Sequence, residues 1–454
     1  MSALPSRCVI GLGGSGMATV AFLARQNLAI LAWDEGAAAG RDAILAEQPQ
    51  VTSRFEPLHG PTLAQCKEIY LSPGVPRAHP AIQEAIQAGV PVINDIELLF
   101  RQSEHAEFVG ITGTNGKSTV TTLVGLMLDR LAGLTRTGGN LGQAALSLWA
   151  PSVERYVLEL SSFQLESIEG FQPRVAALLN LSDDHLDRYD GLQGYLRAKA
   201  RIFQRQTQRD RAVINADDPA LDPIRDILGH PSAPRVIPFS VKKAVAGGVY
   251  VHDGQLWDHR QMTEAPQPII ALEEMRIYGR CNHANAAAAA AIALEAGACH
   301  EDIRHVLTQF PGLEHRMAWV RELDGIAYIN DSKGTNVGAV MEALASFPGG
   351  VVLIAGGKAK QTNFAPLKPL LKKHARHLIL IGDATEEMAA LFEGDTPIHR
   401  AGSMEDAVTT AQRLAHRGET VLLSPACASF DMFRNFEDRG RRFCQAVEAL
   451  TSLT

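Results

Sequence analysis

Four residues stand where chemistry is the simplest explanation of their type: Lys117, Glu159, His185 and Lys199. Lys117 follows a glycine-spaced loop, Gly113-Thr114-Asn115-Gly116, and Ser118 and Thr119 come directly after it. An apolar run, Phe108 to Ile111, leads into the loop, and Val120, Leu123, Val124, Met127, Leu128 and Leu131 follow at helical spacing. Strand, glycine loop and helix is the physics of a P-loop. Backbone N–H groups and the helix N-terminus hold an anion, a lysine neutralises it and a hydroxyl faces Mg²⁺. Ile111 stands where the G-x-x-x-x-G-K-[ST] pattern has its first glycine, so the match is incomplete. The reading is a site for ATP or GTP, with a plain strand–helix turn as the alternative.

Glu159 interrupts an apolar strand in Tyr156-Val-Leu-Glu-Leu160, where an unpaired carboxylate is expensive. Beside a P-loop, an acid ending a neighbouring strand commonly reaches the metal; otherwise it is a surface glutamate on an edge strand. His185 sits among Asp183, Asp184 and Asp187 after an apolar strand, Val175 to Leu181. It is either a hard-metal ligand or part of a solvated acidic turn. Lys199 lies on the apolar stripe of Leu192, Tyr195, Leu196, Ile202 and Phe203. Such a lysine either snorkels to solvent or works with a depressed pKa. Three oddities in one stretch favour a site.

The elements that must position these groups repeat one pattern. Cys8 to Ile10 runs into Gly11-Leu12-Gly13-Gly14-Ser15-Gly16 and a helix, and a second strand, Leu28 to Trp33, ends at Asp34. This is the dinucleotide fingerprint, G-x-G-x-x-G with an acid about 20 residues on, and alone it suggests an NAD-dependent oxidoreductase. The same loop serves any diphosphate. Ser72-Pro73-Gly74 ends a further strand and is either a ligand loop or a simple turn. Val90 to Ile93 closes this small α/β unit. Gly138-Gly139-Asn140-Leu-Gly142 reads as a loop that lets backbone approach a ligand. Val241 to Arg276 reads as hairpins without chemistry, and Asn282 as the N-cap of an alanine-rich helix. From Pro311-Gly312 onward, strand, polar loop and helix recur. Lys333, Thr335, Lys360 and Ser429 lie after strands there and could receive a small anion, unless they are scattered surface residues and caps.

A chain of 454 residues calls for two to four domains. A net charge of −7 argues against a general nucleic-acid or anionic-membrane binder, so anionic ligands must be met locally. No leader segment and no membrane span is expected, since the alanine-rich helix is broken by Asn285, Glu295 and Gly297. Six cysteines without a C-x-x-C pair read as reduced, mostly buried thiols.

The run Gly113-Thr-Asn-Gly-Lys-Ser-Thr119, with Leu158-Glu-Leu-Ser-Ser162, Asp184-His185, Glu314-His-Arg316 and Asn330-Asp-Ser-Lys333, resembles the Mur ligases, ATP-dependent amino-acid ligases of cell-wall peptide assembly. Leu158 to Gln164 and Ser424 to Gly440 are similar to its glutamate-adding branch. The resemblance covers the whole chain and implies an α/β fold of three domains. Residues 1–95 would be a Rossmann-like UDP-substrate domain, 96–311 a P-loop ATPase-like domain with a mostly parallel sheet, and 312–454 a Rossmann-like amino-acid-binding domain. It implies a cytoplasmic, monomeric enzyme of peptidoglycan synthesis that binds neither nucleic acid nor membrane. That enzyme joins glutamate, in the D form, to the alanine carboxylate of UDP-N-acetylmuramoyl-L-alanine through an acyl phosphate.

Site residues follow from the same resemblance. Gly113 to Thr119, Asn282, Arg316 and Asp331 would hold ATP. Ser118 and Glu159 would hold one Mg²⁺, and His185 with a carbamylated Lys199 a second. Gly14, Ser15, Asp34, Ser72, Pro73 and Gly74 would take the uridine diphosphate, and Asn140, Ser162 and Gln164 the muramoyl end. Lys333, Thr335, Lys360, Ser429 and Phe436 would place glutamate. The chain departs from the family pattern at Glu35-Gly36, where an arginine is usual, at Lys358, where an acid is common, and at Gly334, usually alanine. Rival readings are an L-glutamate-adding variant, another Mur or folylpolyglutamate-type ligase, an NAD enzyme, or a nucleotide-binding module without turnover.

Overall fold

The computed structural model describes residues 6–36, 40–184, 188–277, 279–359 and 362–452. His185 and Lys360 lie outside the described residues. Strands Arg7–Ile10 (β1), Ile30–Asp34 (β2), Val51–Phe55 (β3), Glu68–Leu71 (β4) and Val92–Ile93 (β5) form a parallel sheet ordered β3-β2-β1-β4-β5. Both faces are covered over the central strands, so β1, β2 and β4 are mainly apolar. Val9, Ile30, Ala32 and Tyr70 pack on one side, and Cys8, Ile10, Leu31, Trp33 and Ile69 on the other.

The second sheet has nine strands: Glu107–Thr112 (β6), Leu134–Gly139 (β7), Val153–Glu159 (β8), Val175–Leu178 (β9), Arg211–Asn215 (β10), Arg235–Ser240 (β11), Val249–His252 (β12), Gln255–Asp258 (β13) and Gln267–Ala271 (β14). Its order is β14-β13-β12-β11-β10-β9-β6-β8-β7, parallel from β7 to β12, with β13 and β14 added as an antiparallel meander. Helix Lys117–Leu128 packs on one face beside helix Arg280–Glu295, whose buried alanines bring the two backbones close. The other face shares one continuous apolar cluster with the first sheet, from Phe22 and Leu23 to Phe108, Tyr156 and Leu158.

The third sheet joins Ala318–Leu323 (β15), Ile326–Asn330 (β16), Val351–Gly356 (β17), Ala375–Ile381 (β18), Ile398–Arg400 (β19) and Thr420–Leu423 (β20) in the order β15-β16-β20-β17-β18-β19. Only the edge strand β15 runs antiparallel. The expected α/β class with three mostly parallel sheets is what the chain adopts. Polar loops after β1, β4, β6, β8, β9, β16 and β20 lie at carboxyl ends of strands, where open α/β sheets bind ligands.

Four expectations need correction. Gly279, not Asn282, caps the alanine-rich helix, and Asn282 lies inside its first turn. Gly138 and Gly139 belong to β7, so the loop begins only at Asn140. The strand expected through Leu181 ends at Leu178. All six cysteines are free, but only Cys8, Cys66 and Cys427 are buried, and Cys299 is exposed. Among the described residues no helix is long and apolar enough to cross a membrane.

Candidate active site

The loop after β6 is shaped by a neighbour that sequence patterns did not single out. Asn180, just past β9, accepts the N–H groups of Thr114 (3.1 Å) and Asn115 (2.8 Å) and donates to the Asn115 carbonyl (3.0 Å). The N–H groups left for a phosphate are those at the start of helix Lys117–Leu128, which have no partner inside the helix. Gly116 has φ +80, and a Cβ there would strike the Asn285 side-chain oxygen, so the position needs glycine. Asn285 in turn donates to Asn282. Both asparagines of the alanine-rich helix thus face the loop.

Three ionisable groups expected at the site converge on it. Lys117 Nζ folds back to the Gly113 and Thr114 carbonyls, 2.8 Å each, and Lys199 Nζ donates to the same Gly113 oxygen at 2.8 Å. Lys199 is 1% exposed and lies 4.4 Å over the Tyr195 ring, so it does not snorkel. Burial pushes both ammonium groups down, Lys199 well below the usual lysine range, and the proximity of Lys117 lowers Lys199 further. Glu159, the last residue of β8, is 3% exposed and is no edge-strand surface acid. Its Oε1 accepts from Asn140 Nδ2 at 2.8 Å, and its Oε2 is buried with no hydrogen-bond partner. Thr112 Oγ1 and Ser182 Oγ, on either side of the loop, are also buried and unpartnered. An orphaned carboxylate oxygen within electrostatic reach of the P-loop lysine fits a hard divalent cation such as Mg²⁺. Among the described residues no set of three histidine, cysteine or acidic side chains could hold a metal unaided. Any metal there would draw its further ligands from a substrate, water, a modified residue or residues outside the described set.

The third sheet reaches the same place. Arg316 donates to Ser118 Oγ at 2.7 Å, and Asn336 exchanges side-chain hydrogen bonds with Asn115 at 3.2 and 3.5 Å. His315 and Met317, on either side of Arg316, both hold positive φ, 62 and 50. Left-handed non-glycine residues cost on the order of 1–2 kcal/mol each and cluster at functional sites. Asp331 accepts from Ser424 Oγ (2.7 Å) and the Met317 N–H (3.2 Å), and burial pushes its carboxyl up to about 7. Lys333 Nζ stands 3.7 Å from the Phe436 ring centroid, and burial lowers its ammonium to about 8. Arg439, fully buried, donates to Ser332 and to the Cys427 carbonyl and so ties the loop after β16 to the loop after β20. Ser429 is buried on that second loop, and Thr335 follows Lys333 on the first. Nothing in the local pattern announced Arg439, which reads as a surface arginine on helix Phe436–Glu448.

At the first sheet, Asp34 accepts the Leu12 N–H (2.6 Å), the Gly36 N–H (2.8 Å) and Arg41 Nη1 (3.2 Å). Arg41 puts a guanidinium beside Asp34 although Glu35-Gly36 follow it in sequence. Ser72 Oγ donates to the Gly11 carbonyl at 2.6 Å, and Gly14 and Ser15 open helix Gly14–Arg25. Ser161 and Gln164 form a capping box that places Ser162 and Gln164 at the start of a short helix, buried. Arg188 joins the two regions: it donates to the Pro73 carbonyl and to Glu166 and lies 4.0 Å over the Phe163 ring.

Known proteins show the same assembly. Residues 5–94 match the model of the "Mur ligase MurD-like, N-terminal domain", 111–293 the "Mur ligase middle domain" and 315–427 the "Mur ligase, glutamate ligase domain". The chain is 41% identical over 446 residues to the UDP-N-acetylmuramoylalanine–D-glutamate ligase of Trichlorobacter lovleyi, covering 97% of this chain and 98% of that one. It is 40% identical over 454 residues to the enzyme of the same name from Pseudomonas aeruginosa, 98% of each. A MurF ligase of Thermotoga maritima, solved in complex with ADP, shares the fold at a TM-score of 0.58 and 16% identity, over 99% of this chain and 98% of that one. The P-loop with its two converging lysines, the metal-ready carboxylate and full-length likeness on all three sheets lead to one conclusion: the chain belongs to the Mur ligase family.

Proposed function

We propose that this chain is an ATP-dependent, ADP-forming ligase that adds D-glutamate to UDP-N-acetylmuramoyl-L-alanine in peptidoglycan precursor synthesis, in the cytoplasm. The observation that carries the reading is the meeting of Lys117, Lys199 and an unpartnered Glu159 oxygen at one phosphate-binding loop. The relatives' shared name supplies the substrates. The alanine carboxylate attacks the γ-phosphorus of ATP; the P–O bond to ADP breaks and an acyl phosphate forms. The glutamate amine then attacks the acyl carbon, loses a proton, and phosphate leaves with the bonding electron pair. Catalysis of this kind is positioning and electrostatics, which is why the groups arrive from three sheets.

Each residue then has a task it can physically perform. Gly113 to Thr119 cradle the phosphates, and Lys117 turns from its own loop carbonyls to the transferring phosphoryl group. Arg316, Asn282 and Asp331 hold the rest of the nucleotide, beside a cavity of about 750 Å³ lined by Gly279, Leu313, Met317 and Phe347. Ser118 and Glu159 would hold one Mg²⁺, and His185 with Lys199 a second; the ions neutralise charge on the transferring group. Burial lowers the Lys199 ammonium well below the usual lysine range and so favours the neutral amine, the form that would add CO₂ to give a carbamate and a proton. The carbamate would supply the anionic ligand that an amine cannot. Gly14, Ser15, Asp34, Ser72 and Gly74 take the uridine diphosphate, with Arg41 beside Asp34. Asn140, Ser162 and Gln164 meet the muramoyl end. Lys333, Thr335, Lys360, Ser429 and Phe436 place glutamate. Domains of residues 1–95, 96–311 and 312–454 suit the three sheets, and a monomer suits a site complete within one chain.

Phosphate release with UDP-N-acetylmuramoyl-L-alanine, ATP and single amino acids checks the assignment. D-Glutamate should drive turnover and L-glutamate, lysine and diaminopimelate should not; preference for any of these would replace the reading with another ligase of the family.

A further inference from the structure

The junction between the first two sheets carries three polar side chains in a row of four residues, and two of them have evident structural work. Asn94 caps helix Asp95–Arg101 through the Glu97 N–H (3.0 Å) and donates to the Gln164 carbonyl. Glu97 accepts the N–H groups of Glu169, Gly170 and Phe171 at 2.9–3.0 Å and pairs with Arg101 at 2.9 Å. Asp95, between them, is 3% exposed, and neither of its carboxyl oxygens has a hydrogen-bond partner. The Ser15 hydroxyl, the N–H groups of Ile96 and of Asp95 itself, and the Gln164 amide lie close enough to favour its anion, but none makes a full hydrogen bond to it. A buried carboxylate left in that state costs roughly 1–3 kcal/mol or more, and its neighbours already fasten the junction.

Its two neighbours say what it waits for. Ser15 opens the helix that faces a diphosphate and Gln164 the turn that faces the muramoyl arm, so the sugar of the substrate passes between them. A carboxylate repels phosphate oxygens; what it can take there is a donor, a sugar hydroxyl or the acetamido N–H. We propose that Asp95 is a further substrate-binding residue, which accepts a hydrogen bond from the sugar of the UDP-linked substrate. The inference rests on the UDP-sugar reading given above. Burial raises this carboxyl to about 6, so it is largely ionised at neutral pH and is the acceptor in that bond.

Asp95→Ala and the isosteric Asp95→Asn test it, with UDP-N-acetylmuramoyl-L-alanine as substrate and UDP alone as competitive inhibitor. Loss of one charge-assisted hydrogen bond should raise KM for the sugar nucleotide about tenfold in Asp95→Ala and less in Asp95→Asn. KM for ATP and for D-glutamate, and the inhibition constant of UDP, should stay within about twofold, a split that a merely structural role would not give. An unchanged KM for the sugar nucleotide in both variants overturns the inference, as does equal weakening of UDP and full substrate, or tighter UDP binding, which would put the carboxylate against phosphate. If Asp95→Ala does not fold, Asp95→Asn decides alone. Failure of the underlying reading looks different: the wild type would show no saturation by the sugar nucleotide, and the inference would fall with it.

Discussion

Two glycine loops in this chain follow the same recipe, strand, turn and helix N-terminus, and they are charged in opposite ways. At Gly11 to Gly16 the polar groups at the turn itself are paired, Asp34 with two N–H groups and Arg41 and Ser72 with the Gly11 carbonyl, and Asp95 behind Ser15 is the unpartnered exception. At Gly113 to Gly116 two lysines share one carbonyl, while Glu159, Thr112 and Ser182 each keep an unpartnered buried atom. On the proposed reading the first loop meets its ligand with most of its polar groups already paired and serves to hold it. On the same reading the second keeps unpartnered buried oxygens that ATP and metal would satisfy. Shape gives a loop its phosphate, and the state of the charges around it decides between holding and turning over.

The largest effects should come from the second loop. Lys117→Ala and Lys199→Ala should each lower kcat by about 10³-fold or more, since each removes a charge that acts on the transferring phosphoryl group or its metal. Asp34→Asn should instead raise KM for the UDP substrate about tenfold and leave kcat near wild type. Steady-state phosphate release measures both. A large fall in kcat for Asp34→Asn would erase the distinction between the loops.

Glycine substitutions sharpen it next. A Cβ on Gly16 would run into the Gly11 carbonyl and Ser72 Oγ, and one on Gly116 would meet Asn285 at a positive φ. Both alanine variants should lose about 1–3 kcal/mol of stability by denaturant titration. Gly16→Ala should weaken only the UDP substrate and Gly116→Ala only ATP.

How much of this was legible depends on whether the signal was local. The P-loop strand and helix were readable because six apolar residues recur at helical spacing, and Glu159 and Lys199 because each breaks an apolar pattern. Both are buried, and Lys199 bonds to the Gly113 carbonyl. Short or polar strands were not legible: β3 has exposed Thr52 and Ser53, and β19 is three residues long. Asn180, Asn285, Arg41 and Arg439 were missed for another reason. Each acts on a loop distant in sequence, and no spacing rule reports a tertiary contact. Asn282 was taken for a helix cap because an asparagine near a helix start usually is one, whereas here Gly279 turns the chain.

A smaller effect belongs to pH. Burial holds the folded Asp331 carboxyl at about 7, against about 4 for an unfolded aspartate. Between those values the folded chain keeps a proton that the unfolded chain has lost, so this residue's contribution to stability is present at low pH and is lost as pH rises through about 7. The stability of wild type relative to Asp331→Asn should therefore fall between pH 5 and pH 8, by on the order of 2 kcal/mol in urea titrations. A difference that is flat, or that grows with pH, would contradict the burial assigned to Asp331.

The central claim is that the second loop activates a carboxylate by phosphorylating it. Labelling the alanine carboxylate of the substrate with a heavy oxygen isotope tests this in one turnover. The account predicts that one labelled oxygen leaves with the released phosphate, because the acyl C–O bond breaks when glutamate attacks. Phosphate free of label, with one heavy oxygen kept in the product amide and the other lost to water, would contradict it.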